Sequence, residues 1–241
     1  MVNGGDNKHN NWLAGGERGI VNNEWNDGGE QVIRLTLCMV RRDDKVLLGY
    51  KKDPKGLGGG FWNGFGGKVN EGETYLQAAA RELEEECLIH GGDIELAGVL
   101  EFRHQDEPNV VRQMPVYEVT NAVGEPDETE EMCPEWFEIN KLPLEKMWQS
   151  DAYWLDLFFE GKGFYGQFLY DNKHERNLIE KPMIEELERI AEMTAETMIA
   201  EIKSEVRARE GSGVEVKAEV MAEAGGGEVP QEVSGGEIRL R

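Results

Sequence analysis

Three glutamates spaced along one side of a helix are the first residues in this chain that could do chemistry. In the stretch 66–89, GGKVNEGETYLQAAARELEEECLI, Gly67 is followed after five residues by Glu73, and seven more lead to Arg81-Glu82-Leu83-Glu84-Glu85-Glu86. At 100° per residue Glu82, Glu85 and Glu86 share a side, being related by i,i+3 and i,i+4. Leu76, Ala79, Ala80, Leu83 and Cys87 form the apolar stripe of a core-facing helix, and Thr74 with Gln77 makes a capping box at its start. Carboxylates held this close repel one another, and a hard divalent cation offsets that repulsion. Oxygen ligands suit Mg²⁺, with Mn²⁺ as the alternative, and such ions usually bind phosphates alongside one or two carboxylates. A glycine turn just before the helix lets a phosphate or a metal come close. A glutamate-rich face is otherwise just a solvated surface, so the wider pattern has to decide.

The elements that must position these groups follow from the hydrophobic patterning. Residues 32–40 alternate as a strand, Asp43-Asp44 turns the chain, and residues 45–50 return to make a hairpin. Residues 94–102 and 113–120 read as two more strands around a polar loop at 104–109, residues 136–139 as a short strand, and 150–159 as a short helix. Residues 164–170 and 177–180 close the domain. Strands, a central helix and strands again predict an α+β sandwich with a mixed sheet over 31–181. Residues 1–30, rich in Gly and Asn, are expected to be a disordered arm. Residues 182–210 carry a helical stripe (Ile184, Leu187, Ile190, Ala191, Met198, Ile202, Val206) that predicts an amphipathic helix, able to lie on the domain or contact a partner. Residues 211–241 are expected to be a disordered acidic, Gly-rich tail.

Composition bounds the function. The 241 residues leave room for one domain of about 150 residues plus extensions. A net charge of −22, from 48 acidic and 26 basic residues, argues against nucleic acid or an anionic membrane as partner, since both are polyanions. Cys38, Cys87 and Cys133 are odd in number and far apart, which favours reduced thiols. With no long apolar run and no leader pattern, the expectation is a cytoplasmic protein, nuclear and mitochondrial nucleotide pools being left open.

The whole motif resembles the Nudix box, Gly-x5-Glu-x7-Arg-Glu-hydrophobic-x-Glu-Glu-x-Gly-hydrophobic. It departs at one position, Leu88, where that family has glycine, so the helix is expected to run on to Gly91-Gly92 before it is capped. From about 33 to 179 the chain is similar to the oxidised purine nucleoside triphosphate hydrolases, the 8-oxo-dGTPase (MutT-like) branch of the Nudix superfamily. The stretches that carry this are Val46-Leu47-Leu48-Gly49-Tyr50-Lys51-Lys52, Phe61-Trp62-Asn63-Gly64-Phe65-Gly66-Gly67-Lys68 and Lys146-Met147-Trp148-Gln149-Ser150-Asp151-Ala152-Tyr153-Trp154.

The resemblance implies a Nudix α/β/α sandwich, products of monophosphate and pyrophosphate, and a role in clearing oxidised nucleotides from the pool before they reach DNA. It implies metal binding by the Gly66 carbonyl, Glu82, Glu85, Glu86 and Glu131, with Glu86 or Glu131 as the base. Arg81 would aim a helix carboxylate, and Lys51, Phe65, Gly67 and Lys68 would serve the substrate side. The base would be read by Thr36, Asn63, Trp148, Ser150 and Asp151, with Leu57 as an apolar wall. Stacking on Trp148 would contribute about 1–3 kcal/mol. Ser150-Asp151 stands where the animal enzymes have two adjacent aspartates, which implies narrower exchange between oxidised guanine and oxidised adenine. The substrate is thus expected to be a nucleoside triphosphate, bound by a monomer. Two other readings remain: a different nucleoside diphosphate-linked substrate, or a non-catalytic Nudix binding module.

Overall fold

The alternating stretch at 32–40 folds as two strands, because the chain breaks at Leu35-Thr36 to reach a glycine turn. The computed structural model describes residues 24–25, 29–53, 58–172, 177–187 and 194–200. A two-residue strand β1 (Glu24–Trp25) pairs with β2 (Gln31–Arg34), and β3 (Leu37–Arg42) follows the break. At that break Thr36 N donates to the Gly67 carbonyl at 2.9 Å. The expected hairpin is present: β3 runs antiparallel to β4 (Lys45–Lys51) through a turn in which Asp43 is left-handed. After β5 (Trp62–Asn63) comes the acidic helix α1 (Tyr75–Cys87). Strands β6 (Asp93–His104) and β7 (Glu107–Thr120) form one long hairpin, so the polar loop expected at 104–109 is a tight turn at Gln105-Asp106. Then come β8 (Met132–Glu138), the helix α2 (Asp151–Phe159), β9 (Gly163–Tyr170) and β10 (Met183–Leu187).

The main path through the sheet is β10-β9-β6-β7-β3-β4-β5, with β2 also on β7 and β8 also on β4. Parallel pairs (β2 and β3 with β7, β6 with β9) mix with antiparallel ones, as the sequence predicts. Both faces of the sheet are covered, which explains why β3 and β4 are apolar at successive positions rather than alternating. Cys38, Val40 and Leu47 pack into a core with α1, whereas Met39, Val46 and Leu48 pack into a second core with Trp154, Leu155 and Phe158 of α2. The result is an α/β/α sandwich. Cys38 and Cys87 are buried free thiols and Cys133 is half-buried and free.

Three expectations need correction. The stripe of α1 is rotated: Tyr75, Ala78, Ala79, Leu83, Glu86 and Cys87 are buried, while Leu76 is 48% exposed and Ala80 is exposed. The residues before the helix aim Tyr75 inward, and Glu86 is carried onto the buried side. Residues 183–187, placed at the start of a helix, form a strand antiparallel to β9, because an edge strand's unpaired backbone groups are better partners than a solvated helix turn. Helical structure is present at 195–200, where Ala195, Met198 and Ile199 join the core beside α1. The rest of the stripe, and most of both expected disordered ends, lie outside the described residues.

The third correction concerns Leu88. The helix does not run on: it ends at Cys87, and Leu88 itself takes the left-handed cap at φ 60°, its N–H bonding to the Glu84 carbonyl. That conformation costs a residue with a Cβ about 1–2 kcal/mol. Leu88 is 40% exposed, so little packing is lost on shortening it. Leu88→Gly is expected to stabilise the protein by about 1 kcal/mol, read as a rise in Tm of about 2–4 °C by calorimetry.

Candidate active site

Glycine is required at the two positions that bring the turn before α1 against its glutamates. A Cβ on Gly66 would lie 2.0 Å from the Thr36 carbonyl oxygen, and one on Gly67 2.5 Å from Glu82 Oε1. This close approach lets Gly66 N donate to Glu86 Oε2 at 2.8 Å. The capping box between Thr74 and Gln77 starts the helix as the sequence predicts. It fixes the rotation at which Glu82 and Glu86, one turn apart, face the glycine turn.

Arg81 is the hub of the exposed side. Its guanidinium donates to Glu73 (Nε–Oε1 2.8 Å, NH2–Oε2 2.9 Å), Glu82 (2.8 Å), Glu85 (3.1 Å) and the Lys68 carbonyl (3.0 Å). These bonds hold the Glu73 carboxyl well below its usual range, at about 2, and push Arg81 itself up. Arg81 is thus bonded to carboxylates and does not line the cleft. On the inner side Lys51 Nζ lies 3.6 Å from Glu86 Oε1 and 3.8 Å from Glu131 Oε2. Burial pushes Glu86 up to about 7 despite Lys51 and the Gly66 N–H, and the nearby Glu82 and Glu131 add to the rise. Burial raises Glu82 as well, against the pull of Arg81.

These residues fit a hard cation by the chemistry of their donors: carboxylate oxygens, one pair of them on the buried Glu86, whose charge is only partly offset. They do not form a closed cage. Among the described residues no three His, Cys, Asp or Glu side chains converge on a point: Arg81 bonds Glu82 and Glu85, and the Glu131 side chain is 67% exposed. An open arrangement of this kind suits Mg²⁺, which keeps several waters and completes its shell with phosphate oxygens.

The glutamates open onto a cleft of about 560 Å³ that Phe102, Trp148, Trp154 and Tyr170 also line. Of the predicted residues, Thr36, Lys51, Asn63, Gly66, Gly67, Lys68, Glu82, Glu85, Glu86, Glu131, Trp148, Ser150 and Asp151 line it. Phe65 does not: it is fully buried behind the turn, where its N–H and carbonyl bond to Cys38 at 2.9 and 2.7 Å. Leu57 lies outside the described residues. Trp148 is partly buried against the second core and also lines the cleft, whereas Trp154 is fully buried. The Thr36 hydroxyl is buried without a hydrogen-bond partner among the described residues, which is costly unless a ligand supplies one. Sequence reasoning missed Phe102, His104, Arg112 and Met114 on the inner wall, and Met147 and Tyr170 beside Trp148. Strand alternation places Phe102 and His104 on one face, so that much was accessible.

Asp151 opens α2 and is buried. Its carboxyl accepts from Trp148 N (3.2 Å), Trp154 Nε1 (3.2 Å) and Ser150 Oγ (3.5 Å), yet burial outweighs these donors and pushes it up to about 7. The group ordinarily titrates at 3.8, so between pH 4 and 7 the native state holds its proton more tightly than the unfolded chain. The sign is fixed: this stability is fully present below pH 4 and is lost as pH rises to about 7, a swing of about 4 kcal/mol. Asp151→Asn removes the swing. Its Tm relative to wild type, measured without ligand, is expected to rise from pH 4 to pH 7 and then level off.

A NUDIX domain model matches residues 32–158, more than half of the chain. The chain belongs to the Nudix family. This Nudix chain is 42% identical over 136 residues to a zebrafish (Danio rerio) protein named oxidized purine nucleoside triphosphate hydrolase, covering 56% of this chain and 85% of that one. It is 38% identical over 138 residues to the mouse (Mus musculus) protein of the same name, covering 57% and 86%. Among solved structures it resembles a mutator MutT protein of Bacillus halodurans with a TM-score of 0.55 at 26% identity, covering 64% of this chain and 97% of that one. The Nudix box of this chain thus sits on α1 with its arginine turned to the carboxylates and its glutamates to the cleft.

Proposed function

We propose that this Nudix enzyme hydrolyses oxidised purine nucleoside triphosphates to monophosphate and pyrophosphate, acting as a cytoplasmic monomer that clears such nucleotides from the pool. The observation that carries the reading is a single cleft lined both by the glutamates of α1 and by Trp148, Ser150 and Asp151. The similarity to animal proteins named for this substrate class supports it. Glu82, Glu86 and the Gly66 carbonyl, with Glu85 and Glu131 able to swing in, would hold Mg²⁺. When bound, the ion supplies positive charge to the phosphate oxygens as bond cleavage loads them with negative charge. Lys51 neutralises the inner carboxylates and reaches toward the phosphates. Glu86 or Glu131 takes the proton of the attacking water. Trp148 gives a face for purine stacking, while Asn63 and Thr36 offer hydrogen bonds to the base edge and Asp151 accepts from its N–H groups.

Ser150 is buried against Asp151 and donates toward it at 3.5 Å, so this chain has one titratable carboxyl where two would share a proton. The test is pyrophosphate release from 8-oxo-dGTP, 2-oxo-dATP and unmodified dGTP by wild type and Ser150→Asp. The expected result is a preference for 8-oxo-dGTP over dGTP, and a shift of the 8-oxo-dGTP to 2-oxo-dATP ratio toward 2-oxo-dATP in the variant. Equal turnover of dGTP, or an unchanged ratio, would contradict the reading.

A further inference from the structure

His104 ends β6 opposite Glu107, past a register shift, while Arg112 lies opposite Phe102 on β7 and reaches His104 with its side chain. Arg112 NH1 lies 2.9 Å from His104 Nδ1, and its NH2 is paired with Glu107. A guanidinium has only N–H groups to offer, so Nδ1 must accept. The ring proton is therefore on Nε2 and the imidazole is neutral. Burial and the Arg112 charge, which lower the affinity of this ring for a second proton, agree with that state. His104 is 4% exposed, and its Nε2–H has no hydrogen-bond acceptor among the described residues. The ring stacks on Tyr170 at 5.7 Å and 22°, Tyr170 meets Trp148 edge-on at 5.9 Å, and the Tyr170 hydroxyl accepts from Ser150 N at 3.3 Å. His104, Tyr170 and Trp148 thus form a run of ring contacts along the cleft that the glutamates of α1 also line.

We propose, building on the nucleotide reading of this cleft, that His104 is a specificity-determining residue whose Nε2–H donates to a ring carbonyl of the oxidised purine, with Arg112 as the positioning residue that fixes its tautomer. The acceptor is a neutral carbonyl rather than a phosphate. Asp106, Glu107 and Asp171 surround the pair and offset the Arg112 charge, leaving no net attraction for an anion. The Nε2–H is open to the cleft, so a base that supplies an acceptor keeps the donor paired as water leaves, and is selected over a base that leaves it unpaired.

The test is kcat/KM on 8-oxo-dGTP, on dGTP, which lacks the 8-carbonyl, and on the 8-oxo-2-aminopurine deoxynucleoside triphosphate, which lacks the 6-carbonyl. His104→Phe keeps the stacking on Tyr170 and loses the donor. It is expected to raise KM about tenfold, with kcat little changed, on substrates that carry the carbonyl read by His104, and to leave the one lacking it unaffected. His104→Gln, which keeps an N–H donor, is expected to retain the discrimination. Arg112→Met should match His104→Phe and add nothing to it in the double variant. Equal losses on all three substrates, an unchanged discrimination in His104→Phe, or additive losses in the double variant would overturn the proposal. Wild-type protein that releases no pyrophosphate from any nucleotide would instead overturn the function itself, and this role of His104 with it.

Discussion

Glu86→Gln is expected to lower kcat for pyrophosphate release by about 10²–10⁴ while leaving the protein folded. Glu86 is the carboxylate whose two oxygens face two different donors, Gly66 N and Lys51. A glutamine has one acceptor oxygen and must turn its NH2 toward the other donor, so the arrangement around the phosphates is lost whether Glu86 holds the cation or takes the proton. The fold survives because a buried carboxylate raised to about 7 is itself a source of instability above that pH. Steady-state kinetics beside a thermal melt checks this: a large fall in kcat with an undiminished Tm at pH 8 is the expected pair of results.

Gly66→Ala is expected to remove activity together with stability. Its Cβ would meet the Thr36 carbonyl oxygen at 2.0 Å and the Thr36 carbonyl carbon at 2.8 Å, both backbone atoms that cannot turn aside. The junction between β2 and β3 must open, at about 2–4 kcal/mol, and Gly66 N is drawn away from Glu86. Gly67→Ala makes the informative contrast. The atoms nearest its Cβ would be those of the Glu82 carboxyl, the far end of a side chain that can rotate, so Tm should fall far less while kcat drops as Glu82 swings off the site. Urea melts and kcat for the two variants separate the cases.

The acidic helix, its capping box and the hairpin at Asp43 were legible because each is written in local spacing. The split at Thr36 was not, since an alternating strand looks continuous until the carbonyl of Gly67 claims the Thr36 N–H from outside. The strand at 183–187 was hidden for a similar reason: Ile184 and Leu187 fit helical spacing, and only the open edge of β9 decides against it. At the site, the glutamates, Lys51, Asn63, Trp148 and Asp151 were accessible from the motif and its resemblance. Phe65 was misplaced because its neighbours in the motif face the cleft while its own side chain points into the core. His104 and Arg112 sit on different strands, and nothing in either strand alone says that the two meet.

The most direct test of the central claim, that the glutamates of α1 gather a divalent cation onto the phosphates of an oxidised purine nucleotide, is product analysis of 8-oxo-dGTP turnover as Mg²⁺ is titrated. The account predicts monophosphate and pyrophosphate in equal amounts, appearing with added Mg²⁺ and abolished by excess chelator. Undiminished turnover in excess chelator, or release of orthophosphate in place of pyrophosphate, would contradict it.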